Sequence, residues 1–152
     1  MNVHDMFAEL SSLLVEGMMI HSQLADFYLF LGADHMANIH EDYLLDDTCL
    51  WRNIVRYHIT HFGSLVPEDR IDTPHIIPDG WYTATVDDVD DETRERAMTF
   101  GKSTWIEWAS RVQEKCADYY RTLVDDDDGA TAMRIKKCLC EIEDELSDAE
   151  RI

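Results

Sequence analysis

Apolar residues recur every three to four positions over four long stretches of the chain, which is the spacing of amphipathic helices. The first stretch runs from about Val3 to the mid-thirties, with Phe7, Leu10, Leu14, Met18, His21, Leu24, Ala25, Tyr28 and Gly32 on one stripe. The second runs from about His40 to Phe62, with Leu44, Trp51, Ile54, Val55, His58 and Phe62 on one face. The third, from about Asp91 to Val124, aligns Met98, Gly101, Trp105, Trp108, Val112, Cys116, Tyr119 and Leu123. The fourth, from about Ala130 to Arg151, aligns Ala132, Ile135, Leu139, Ile142, Glu143, Leu146 and Ala149. Gly63 and Pro67 close the second helix. Asp87, Asp88, Asp90 and Asp91 precede the third, where acidic side chains favour the positive helix end. Asp125 to Asp128 with Gly129 predict a tight turn before the fourth.

Between the second and third helices lies Ser64 to Asp90, holding Pro67, Pro74, Pro78 and Gly80, with Trp81 to Val86 as a short extended run. A connection that long is uncommon in a compact domain unless it spans something. Even partly coiled, it can cross the length of a bundle. The expectation is a single domain over residues 1–152, an all-α four-helix bundle. Its order is up-down-down-up, two antiparallel hairpins joined by a long crossover between helices two and three.

Composition sharpens the picture of partners. Thirteen basic residues against thirty-two acidic ones give a net charge of -19. That field repels phosphate backbones and acidic membrane faces and attracts cations and basic proteins. Nucleic acid and membrane are therefore not expected partners. The N-terminal stretch carries Asp5 and Glu9, with no basic start before an apolar run, unlike a secretory leader. With no apolar span of membrane length, a cytoplasmic protein is expected. The cysteines Cys49, Cys116, Cys138 and Cys140 read as reduced structural thiols.

Polar residues on the inner stripes are the candidate chemistry. His58 and His21 lie at the centres of their stripes, His61 at the edge of one, and Glu143 within about 40° of Leu139 on the fourth helix. Two imidazoles and a carboxylate are ligands for iron, zinc or manganese, so His21, His58, His61 and Glu143 form the candidate metal set. Whether His21 and His58 meet depends on the first turn. A turn near Ile39–His40 sets them level, whereas a turn at Gly32 separates them by roughly 20 Å at 1.5 Å per residue. His4, His35, His40 and His75 show no constellation and read as surface residues. Trp105 and Trp108 read as core bulk. No phosphate loop, Rossmann glycine pattern, nucleophile elbow or calcium loop is present.

Ser22-Gln23-Leu24-Ala25-Asp26-Phe27-Tyr28 resembles the first helix of the ferritin-like superfamily, in its rubrerythrin and ferritin branches, and His58-Ile59-Thr60-His61 falls where that family has Glu-x-x-His. The long crossover extends the resemblance over most of the chain. It implies a ferritin-like bundle, with departures. The family's first-helix Glu falls at Ser22, His58 replaces the Glu of Glu-x-x-His, Glu107 and Glu114 point away from the stripe, and no His follows Glu141, Glu143 or Glu145. A di-iron site draws four carboxylates and two histidines from facing helices, so ferroxidase or peroxidase activity of the family's kind is not expected. The leading expectation is a non-catalytic bundle that binds a protein partner or forms a homodimer, with Trp81 and Tyr82 in the crossover as a contact. The alternatives are a mononuclear metal-binding protein or oxidoreductase using interior histidines, and an acidic mimic of nucleic acid.

Overall fold

In the computed structural model, residues 1–67, 76 and 85–152 are described. They form four helices: α1 (Val3–Phe30), α2 (Asp34–Phe62), α3 (Asp91–Asp125) and α4 (Gly129–Arg151), with a short 3-10 turn at Val86–Asp88 before α3. No strand occurs among the described residues. The all-helical bundle and the helix limits of α3 and α4 follow the sequence pattern closely. Most of the 64–90 crossover, with Trp81 and Tyr82, lies outside the described residues. Of its middle, Ile76 is described; it is buried and its N–H donates to the Gln23 side-chain oxygen at 3.0 Å. No helix among the described residues is long and apolar enough to cross a membrane.

The first turn is earlier than the His40 boundary of the second stripe suggests. α1 stops at Phe30 because Gly32 takes a positive φ of 76°. This left-handed step is one that glycine adopts without steric cost. The N–H groups of Gly32 and Ala33 then close back on the carbonyls of Leu29 and Tyr28. α2 begins at Asp34 with no side-chain cap, so no capping residue advertises its start. The other ends carry caps, those of α2, α3 and α4 at the acidic and glycine positions expected. Asn2 accepts from the Asp5 N–H, Asp90 from Thr93 and Asp128 from Thr131; Gly63 closes α2 at φ 74°.

Cross-helix contacts fix neighbours and register. Trp51 Nε1 donates to Ser11 Oγ at 2.9 Å between α2 and α1. Trp108 Nε1 donates to the Leu13 carbonyl at 2.8 Å and Tyr28 to the Met98 carbonyl at 3.3 Å, between α3 and α1. Tyr57 meets Thr131 at 3.0 Å between α2 and α4, and the Cys116 and Cys138 thiols lie 3.8 Å apart between α3 and α4. All four cysteines are free. Trp105 and Trp108 are fully buried, the core bulk that their stripe predicts. At the α1–α3 crossing, Gly17 lets the Trp108 ring lie directly against the α1 backbone.

Candidate functional site

A polar cluster interrupts this apolar core at mid-height. α1 supplies His21, α2 supplies His40 and Asp47, and α4 supplies Glu145; each is at most 2% exposed. His40 and Asp47 lie seven apart, two helical turns, so α2 presents both on one face. The His21 ring stacks on Tyr43 and meets Trp105 and Trp108 edge-on, while His40 stacks on Tyr28. These aromatics exclude water and hold both imidazole planes.

Hydrogen bonds set the chemistry of each ring. His21 Nδ1 is 2.8 Å from His40 Nδ1, and His21 Nε2 is 2.6 Å from Glu145 Oε1 and 3.0 Å from Asp47 Oδ2. Trp105 Nε1 donates to the same Glu145 oxygen at 2.9 Å. Burial works against a charge on His21, yet Asp47 and Glu145 hold its proton so firmly that its pKa is raised to about 9. Burial and then the charge of His21 push His40 down to about 3. His40 is therefore neutral, and its Nδ1 lone pair accepts the His21 Nδ1–H. That bond fixes which His21 nitrogen faces the carboxylates. Burial raises Asp47 to about 7, with Glu145 adding to the effect against the pull of His21.

The single His21 Nε2–H stands between two carboxylates. The short contact shows that His21 Nε2–H aims at Glu145. Asp47 Oδ2 lies 3.0 Å from the same nitrogen, an ion-pair contact without the alignment of a hydrogen bond, and His40 Nε2 is also buried without a partner. A buried carboxylate oxygen left open is costly unless a cation meets it. The potential ligand atoms of His21, Asp47 and Glu145 all lie within 4.8 Å of one another, the one such group among the described residues. A tetrahedral ion bound at about 2.1 Å needs ligand atoms about 3.4 Å apart, so rearrangement of less than about 1.5 Å admits one. A cavity of about 410 Å³ between α2 and α4 leads to this point, and Asp47 and Glu145 both line it.

The predicted metal set is thus only partly assembled. His21 is in the cluster. His58 is buried but far away, about 27 Å beyond His40 along α2 at 1.5 Å per residue. There its Nδ1–H donates to the Ser64 carbonyl at 2.8 Å, and its Nε2 is 3.0 Å from His4 Nδ1. From Tyr43, on which His21 stacks, His58 is fifteen residues or about 22 Å along α2, close to the roughly 20 Å that a turn at Gly32 entails. His61 is exposed and stacks on Tyr57. Glu143 is exposed on α4 and does not face the core; Glu145, two residues on, does. His40, read as a surface residue, is fully buried. Asp47 and Glu145 were not among the predicted ligands. Glu107 and Glu114 are exposed, as expected. The chain matches no protein-family model, no curated protein and no solved structure.

The cluster has a pH signature. The folded pKa of His21 lies above its ordinary 6.5, so its stabilising contribution is complete below 6.5 and is lost as pH rises through about 9. Between about 4 and 6.5 two groups oppose each other. His40, with its lowered pKa, favours the fold more as pH rises, whereas Asp47, raised from 3.8, favours it less as pH rises towards 7. Thermal melts of metal-free protein should therefore show Tm falling between pH 6.5 and 9. A His21→Gln variant should lose most of that slope, and a wild-type Tm flat across the window would show that His21 carries no such proton.

Proposed function

We propose that this chain is a ferritin-like bundle, ordered up-down-down-up, that binds one divalent transition-metal ion through His21, Asp47 and Glu145. The ion is iron, zinc or manganese, the metals suited to one imidazole and two carboxylates. The observation that carries the reading is the buried Asp47 oxygen, set against the same imidazole nitrogen as Glu145 and without a hydrogen bond of its own. The topology is supported by the contacts: α2 and α3 each run antiparallel to both α1 and α4, since Tyr57 meets Thr131 while Tyr43 bonds Asp148, and Tyr28 meets Met98 while Lys115 pairs with Glu9.

The chain's own residues do the following. In the absence of an ion the proton on His21 Nε2 balances the carboxylates. Once that proton leaves to solvent, the His21 Nε2 lone pair would hold an ion together with Asp47 and Glu145. His21 keeps its Nδ1–H on His40, the usual arrangement of a ligating imidazole whose other nitrogen is held by a hydrogen bond. Trp105 holds Glu145 from the α3 side. A bound ion would supply Lewis acidity to a ligand reaching it through the cavity. Elemental analysis of protein purified without a histidine tag is expected to give about one equivalent of metal per chain. Asp47→Asn should lose it, and His58→Ala and Glu143→Ala should keep it. A bundle serving only to bind a protein partner, or an acidic mimic of nucleic acid, would contain none.

A further inference from the structure

The cavity between α2 and α4 has a one-sided chemistry. Five carboxylates line it, from Asp46, Asp47, Glu141, Asp144 and Glu145, and no Lys or Arg does. Asp46, Glu141 and Asp144 are exposed at its rim, whereas Asp47 and Glu145 are buried at its floor. His21 is not part of its wall. An entering ion therefore meets oxygen before nitrogen. The floor offers an acceptor ready for it, the Asp47 oxygen that no donor occupies.

The rim carboxylates do not form a three-ligand group of their own. Only the His21–Asp47–Glu145 group, among the described residues, brings three ligand atoms within 4.8 Å. Spread charges of one sign at the mouth of a cleft raise the local concentration of counter-ions and the rate of their capture. We propose that this cavity is the port of the metal site, in which Asp46, Glu141 and Asp144 steer hydrated divalent cations inward and Asp47 takes them first. The inference rests on the metal reading above. In the exchange the ion gives up water for carboxylate oxygens and then for His21 Nε2, and the His21 proton leaves to solvent. Steering of this kind acts on the rate of entry, and through it on affinity, and leaves the rate of release unchanged.

Stopped-flow mixing of metal-free protein with Co²⁺ alone, followed by its visible absorption, separates entry from release. In Glu141→Gln/Asp144→Asn protein the association rate at about 10 mM salt should fall about fivefold or more, within the range of electrostatic steering. The dissociation rate and the one-ion stoichiometry should stay at wild-type values. At about 0.5 M salt, where such fields are screened, variant and wild type should load alike. Asp46→Asn/Asp144→Asn provides a second pair should the first fold poorly. Equal rates at low salt, or a slowing of equal size at both salt concentrations, would overturn the port while leaving the metal site standing. Absence of any Co²⁺ signal in wild-type protein would overturn both.

Discussion

Glu145→Ala is expected to destabilise the metal-free bundle by about 3–5 kcal/mol, the cost of removing one partner from a buried charged pair. Its carboxylate accepts from both His21 Nε2 and Trp105 Nε1, and all three groups are buried. Truncation leaves an imidazolium with the unbonded Asp47 as its only counter-charge and an indole N–H with no acceptor. His21 responds by giving up its proton more readily, so the alkaline loss of stability seen in wild type should move to lower pH. Urea unfolding at pH 6 and at pH 9 measures both effects, the variant's deficit being larger at pH 6. Glu143→Ala serves as the internal comparison. Its side chain is exposed, and surface changes of this kind stay within about 0.5 kcal/mol. Equal effects of the two variants would place neither glutamate where it is described.

Gly17→Ala is the second large effect and tests the scaffold. A Cβ at Gly17 would lie 2.0 Å from Cζ2 of Trp108, well inside any permitted contact. The ring cannot swing aside freely, because it is fully buried and its N–H is held by the Leu13 carbonyl at 2.8 Å. Either α1 and α3 move apart or Trp108 gives up that bond and its packing. Overpacking a close contact costs about 1–3 kcal/mol and occasionally more, here with a buried N–H lost in addition. The midpoint of urea unfolding should drop accordingly, and Trp108 fluorescence should shift to the red. Gly63→Ala gives a contrast: nothing lies within 4 Å of its added Cβ, and only the strain of the left-handed φ remains. A Gly17→Ala protein as stable as wild type would mean that the two helices are not in contact there.

The bundle itself was legible because helical periodicity is carried by many residues at once, and one ambiguous position changes little. The site was not, because it depends on the azimuth of single side chains. On α4 the apolar residues alone put the centre of the stripe between Leu139 and Ile142 on the Glu143 side. Thr131 and Cys138 are buried as well, and counting them turns the centre by about 15° at 100° per residue, enough to bring Glu145 nearer to it than Glu143. On α2 the periodicity does carry the signal. His40 and His58 are eighteen residues apart, about five full turns, and Asp47 falls within about 20° of both. Starting the helix at His40 made that residue look terminal. Asp46–Asp47 reads as a solvated acidic pair when polarity alone is weighed, although only Asp46 is exposed. Charge patterning shows which face a residue tolerates, and burial of a paired charge is a tertiary fact that local sequence does not contain.

On the proposed reading, His21, Asp47 and Glu145 exchange protons for one divalent ion. Calorimetric titration of metal-free protein with Zn²⁺ at pH 7, in two buffers of different ionisation heat, tests it most directly. Saturation is expected at about one ion per chain with about one to two protons released, from His21 and in part from Asp47, and both should be lost in Asp47→Asn. No uptake, uptake without proton release, or uptake that survives Asp47→Asn but fails in His58→Ala would contradict it.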